Sequence, residues 1–122
     1  MVFSESDEFK KEFKKLSKKY PSLKDDLKVV KKAITAEPAG NNTKHWNVFA
    51  HDSAENYVLK MRMMCRSVTG SQFRLIYYFD GKNVEVLFIE IYYKGNKETE
   101  DAKRIKDFVN TLKQEKKWIV SE

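Results

Sequence analysis

Cysteine is almost missing: Cys65 stands alone, which excludes an intrachain disulfide and a cysteine-built metal centre. Proline (2) and glycine (4) are scarce, which excludes collagen-like and low-complexity architectures. No apolar run approaches the ~18 residues of a membrane-spanning helix. The opening Met1-Val2-Phe3-Ser4-Glu5-Ser6-Asp7 lacks the apolar core of a signal peptide. No phosphate-binding glycine loop, nucleophile elbow or HExxH motif occurs. Aromatics, by contrast, are plentiful, with eight Phe and six Tyr among 122 residues that are 41% hydrophobic. Such a chain is too apolar for a disordered tail. It has the length of one domain, able to bury roughly two-thirds of its unfolded surface. The expectation is a single soluble, cytoplasmic domain over residues 1–122, with no membrane contact.

The formal net charge is +6, and it is unevenly spread. Residues 9–32 carry ten Lys against Glu12, Asp25 and Asp26. Residues 57–78 carry Lys60, Arg62, Arg66 and Arg74 and no acid. The two regions suit different work, because Arg grips phosphate in a planar fork and Lys acts as a point charge. A basic domain of this kind leans towards nucleic acid or another polyanion. For residues 9–32 a merely solubilising surface explains the charge equally well.

Phe9, Phe13, Leu16 and Tyr20 recur at helical spacing and predict a helix from about Ser4 to Lys19, ended by Pro21. Ser22 with Asp25 three residues on reads as an N-cap with an acidic first turn. Leu23, Leu27, Val30 and Ile34 then mark a second helix ending before Pro38. A polar, turn-rich stretch follows, with a short strand at His45–Phe49. From Tyr57 the period becomes two, and 57–66, 72–79 and 84–93 read as strands of an antiparallel meander. Asp80-Gly81 marks one hairpin. A last helix is predicted from near Lys97, with Glu98, Glu100 and Asp101 in its first turn and Ile105, Phe108, Val109 and Leu112 on its buried face. The fold class is α+β: an N-terminal helical hairpin on an antiparallel sheet of three to four strands, followed by a C-terminal helix.

Alternation places Lys60, Arg62, Met64 and Arg66 on one strand face, Arg74, Ile76 and Tyr78 on a face of the next, and Glu90, Tyr92 and Lys94 on a face of the third. If these faces coincide, Lys60, Arg62, Arg74 and Lys94 converge, with Tyr78 and Tyr92 offering rings on which bases stack. The same pattern also describes solvent-facing cations on an open sheet. His45, His51 and Asp52 suggest a metal site or an acid/base pair only weakly, and Cys65 beside Arg66 reads as a passive strand residue.

Three segments together resemble the RelE/ParE superfamily of toxins from toxin–antitoxin modules. The lysine-rich “EFKKLSKKYPSLKDDLKVVKKAI” resembles the N-terminal hairpin of these toxins, and “LKMRM” is similar to their basic strand. “FRLIYYFDGKNVEVLFIEIYYKGNKETEDAKRIKDF” resembles their paired strands and C-terminal helix. The three cover most of residues 9–108. The resemblance, to the RelE- and HigB-like members, implies a ribosome-dependent mRNA endonuclease that inhibits translation without a metal or cofactor and is held by a cognate antitoxin protein. It implies Lys60 and Arg62 on the basic strand, a central Arg74, and Lys94 just past the last strand as catalytic positions. The tyrosine that the family carries near its C-terminus falls near Glu100, so Tyr92 or Tyr93 would take its place. Lys60 is then the expected base for the 2′-hydroxyl, Arg62 and Arg74 the phosphate clamp, and Lys94 or Tyr92 the leaving-group partner. Arg66, Tyr78, Lys14 and Lys18 are the expected RNA contacts. ParE-like members instead poison gyrase without cleaving RNA, and a degenerate member would only bind its antitoxin.

Overall fold

The computed structural model describes residues 1–41, 46–52, 56–70, 72–115 and 118–120. Its elements run β1 (Val2–Glu5), α1 (Asp7–Lys19), α2 (Leu23–Ala36), β2 (Trp46–Asp52), β3 (Tyr57–Met63), β4 (Phe73–Asp80), β5 (Glu85–Tyr93), α3 (Ala102–Glu115) and β6 (Trp118–Val120). The fold is α+β, as the sequence predicts. The sheet is larger than expected: five strands and a short sixth, in the order β1-β5-β4-β3-β2-β6. Among the described residues no helix is long and apolar enough to cross a membrane.

The meander of β2, β3, β4 and β5 is antiparallel throughout. β1 is the departure, a parallel edge strand with Val2 beside Glu85 and Glu5 beside Phe88. The predicted first helix therefore starts three residues late. Ser6 is its N-cap, and its Oγ accepts from Phe9 N at 3.2 Å while Ser6 N donates to Phe88 O at 3.0 Å. The last helix begins at Ala102 rather than near Lys97. Asp101 accepts from Arg104 N at 3.0 Å and serves the helix start, whereas Glu98 and Glu100 lie outside the helix.

Each face of the sheet carries its own core, making three layers. The hairpin of α1 and α2 buries Phe9, Leu23, Leu27 and Ile34 on Leu59, Met61, Phe73, Leu75, Tyr77 and Phe88. On the opposite face α3 buries Ile105, Val109 and Leu112 on Ala50, Val58, Ile76 and Ile89. The period-two strands thus feed both cores, with odd positions of β3 under the hairpin and even positions turned away.

A buried polar clip joins the hairpin to the end of β3. Asp26 accepts from Ser22 Oγ (2.7 Å), Arg66 N (3.0 Å) and Arg66 Nε (3.1 Å). By capturing the Arg66 N–H it ends the strand at Met63, short of the predicted residue 66. Burial pushes the Asp26 carboxyl up, but its hydrogen bonds, Ser22 first and then Arg66 N, outweigh that and hold it below its ordinary value. A depressed carboxylate contributes stability above its unfolded pKa and loses it as pH falls through the folded one. Asp26→Ala is therefore expected to cost about 1–3 kcal/mol at neutral pH. It should also flatten the fall of melting temperature below about pH 4, measured by thermal denaturation across pH.

Candidate functional site

The strand register builds a row of polar side chains across three strands. Arg62 on β3 stands opposite Arg74 on β4, and Arg74 stands opposite Tyr92 on β5. Cross-strand partners project to the same side. That side is turned away from the hairpin, because the flanking Met61, Met63, Phe73 and Leu75 are buried beneath it. It is not an open face throughout. α3 covers Val58, Ile76 and Ile89, and the cations occupy the part that the helix leaves uncovered.

Two like charges side by side are unfavourable in themselves. Burial first, then the Arg62 charge, pull the Arg74 pKa down, with Tyr92 opposing. A guanidinium keeps its proton through such a shift, so both residues stay charged. Arg74 Nη1 donates to its neighbour's carbonyl, Phe73 O, at 3.0 Å.

Arg74 opens onto a cleft of about 720 Å³ that it lines with Gln72, Lys94, Gly95, Glu98 and Thr99. The turn after β5 places the exposed Lys94: Lys94 N donates to Gln72 O at 2.8 Å, and Asn96 N and Lys97 N both donate to Tyr93 O. Gly95 is required there because a Cβ would overlap the Tyr93 ring. Of the four cations expected to converge, Lys60, Arg62, Arg74 and Lys94, Arg62 neighbours Arg74 across the strands and Arg74 shares the cleft with Lys94.

Lys60 departs from expectation. Its base role presumed a neighbourhood of cations, but its Nζ is paired with Glu100 Oε1 at 2.8 Å and lies 5.7 Å from the centre of the Phe49 ring. Thr99 Oγ1 donates to the other carboxylate oxygen at 2.8 Å. Burial raises the Glu100 pKa, but the hydrogen bond from Lys60 leads the contacts that outweigh it, so the carboxyl is held low.

Glu90, which alternation placed on the face of Tyr92, is 0% exposed in the middle of β5, a burial that the sequence analysis did not foresee. A bulge adjoins it: Ile76 pairs with Glu90 but Tyr77 pairs with Phe88, leaving Ile89 as an extra residue. Ile89 and Glu90 both turn to the α3 side. Glu90 accepts from Asp101 N (2.9 and 3.1 Å to its two oxygens) and from the Lys97 ammonium, pinning the segment between β5 and α3. A Glu inside the apolar run “VLFIEIYY” was the available signal. Tyr92 is 5% exposed, and its hydroxyl has no hydrogen-bond partner among the described residues. Burial, then the Glu100 and Glu90 charges, push its pKa up to about 12 against the pull of Arg74, so at neutral pH it is a neutral donor.

Other expected RNA contacts lie elsewhere. Arg66 is past the end of β3 and pairs with Asp26 and Asp25 (3.1 and 3.7 Å) beside α2, because Asp26 draws both its backbone and its side chain. Tyr78 shares the site's face but packs against Phe108 of α3, ring centres 5.4 Å apart, so its ring is not offered to bases. Lys14 and Lys18 are exposed on α1, behind the sheet from Arg74. His51 Nδ1 lies 3.0 Å from Asp52 O, and the Asp52 carboxylate bonds instead to Asn56, so the two side chains form no acid/base pair. Cys65 is buried under the hairpin. His45 lies outside the described residues. Comparison of the chain with protein-family models, curated proteins and solved structures finds no match.

Proposed function

We propose that this chain is a translation-inhibiting toxin of the RelE/ParE type, acting as a metal-independent, ribosome-dependent mRNA endonuclease in the cytoplasm and restrained by a cognate antitoxin. The observation that carries the reading is Arg74, cross-strand neighbour of Arg62, opening onto a cleft shared with Lys94. Cations of two shapes in one concavity, Arg74 and Lys94, with Arg62 on the neighbouring strand, suit a phosphodiester, the arginine fork on the non-bridging oxygens and the lysine point charge beside it. In the reaction the ribose 2′-hydroxyl gives its proton to water and attacks the adjacent phosphorus, the bond to the 5′-oxygen breaks with that oxygen taking a proton from water, and a 2′,3′-cyclic phosphate and a 5′-hydroxyl result. Arg62 and Arg74 stabilise the charge that grows on phosphorus-bound oxygen, and the neutral Tyr92 hydroxyl is a donor at the edge of that group. The +6 net charge suits both ribosomal RNA and an acidic or amphipathic antitoxin.

The test is cleavage mapping on mRNA-programmed ribosomes in chelator. Ribosome-dependent cuts ending in cyclic phosphate, with the matching DNA oligonucleotide intact, are the expected result. A second reading, binding without cleavage (the gyrase-type or antitoxin-only alternatives), is favoured by the pairing of Lys60 with Glu100, which removes the expected base. Ribosomes left uncut by folded protein would decide for it.

The lysine-rich hairpin has a smaller part. Lys14→Ala removes one of many solvated charges behind the sheet, so ribosome affinity is expected to fall only a few-fold, with a slightly shallower salt dependence. Sedimentation binding over a salt series reads both.

A further inference from the structure

We propose that Glu100 is an internal competitor for the anion that this face binds: its carboxylate occupies Lys60 in the free protein, and an RNA phosphate must displace it to use all four cations of the face. The proposal rests on the reading of the Arg62–Arg74 face as a phosphate site.

Lys60 stands two residues from Arg62 on the same strand, and so on the same face. It belongs by position to the sheet face that carries Arg62 and Arg74. Yet its charge is cancelled by Glu100 at 2.8 Å, in a pair whose side chains are only 24% and 14% exposed. The partner is delivered by the segment that roofs the site. Both its ends are anchored by Glu90, which grips Lys97 at one and, a single residue past Glu100, Asp101 N at the other. Thr99, which lines the cleft, holds the second Glu100 oxygen. The carboxylate is thus presented to a sheet cation much as a phosphate oxygen would be.

A second observation fits the same exchange. The Tyr92 hydroxyl is buried without a partner and feels both Glu100 and Arg74. A buried donor with no acceptor is uncommon. An acceptor oxygen arriving between Lys60 and Arg74 supplies what the hydroxyl lacks, while the departing carboxylate returns to water. Glu100 then sets affinity: it lowers retention of stray anions and demands a ligand with enough contacts to pull Lys60 away.

The experiment is a fluorescence-anisotropy titration of a labelled single-stranded RNA oligonucleotide. The proteins are wild type, Glu100→Gln, Lys60→Ala, the double variant, Arg74→Ala and Asp107→Asn. The last makes the same change in net charge on an exposed part of α3. Glu100→Gln is expected to tighten binding about three- to tenfold beyond Asp107→Asn, and that gain should vanish in the Lys60→Ala background. Should glutamine not be accommodated, as judged by thermal melting, Glu100→Ala gives the same ordering. A gain no larger than that of Asp107→Asn, or one that persists without Lys60, overturns the proposal. If Arg74→Ala binds RNA as wild type does, the phosphate-site reading itself has failed. If Arg74→Ala binds weakly while Glu100→Gln gains nothing, only the competitor role has.

Discussion

Arg74→Ala is expected to abolish growth inhibition and to cut ribosome-dependent cleavage by about 10²–10³, the usual loss when one preorganised charge donor is removed. Its melting temperature should stay near that of wild type, because Arg74 belongs to neither apolar cluster. Arg74→Lys should rescue poorly, since a point charge does not reproduce a fork set beside Arg62. The contrast with Lys14→Ala separates geometry from bulk charge. Equal loss of toxicity in the two folded variants would mean that charge alone matters. Full toxicity of Arg74→Ala would reduce the sheet arginines to surface decoration and favour the non-cleaving reading. Induction in cells, followed by growth curves and cleavage mapping, measures all of this.

Phe88→Ala should be the most damaging core substitution. Phe88 is fully buried on β5, stacked between Phe3 of β1 at 5.7 Å and Phe9 of α1 at 5.2 Å between ring centres. It therefore joins the N-terminal strand, the first helix and the sheet in a single contact. Truncating such a ring costs about 3–5 kcal/mol through lost transfer energy and the cavity left behind. In a domain of this length that lowers the melting temperature by roughly 10–20 °C. Phe3→Ala, at a partly buried position, should cost clearly less. Calorimetry of the two variants checks the order. Equal losses would show that the β1 contact rather than the ring's burial dominates.

The meander, the hairpin and the apolar face of α3 were legible because each repeats its period over many residues. Leu23, Leu27, Val30 and Ile34 could lie on one helix face only, and all four are buried. β1 was not legible. Four residues are too few to establish a period, and their partner lies at the far end of the chain. At the site, Arg62 beside Arg74 followed from alternation plus a hairpin, which is local arithmetic. Glu100 on Lys60 did not, because acids ahead of a helix look like first-turn residues whether or not they reach back to the sheet. Alternation placed Glu90 on the face of Tyr92 correctly, but not its burial, because its partners Lys97 and Asp101 come from the segment beyond the strand.

The parallel edge strand bears on how the chain is made. Ser6 Oγ donates to Ile89 O, a contact 83 residues apart. During synthesis the hairpin and the early meander emerge first, while β1 waits for β5 to clear the exit tunnel. Until then the Phe9 side of the core lacks Phe88, and neither Tyr92 nor the Glu100 segment exists to complete the face around Arg74. Closing so long a loop is slow and unrewarded until the end. The face around Arg74 is therefore complete only after β5 and the segment that follows it have left the tunnel.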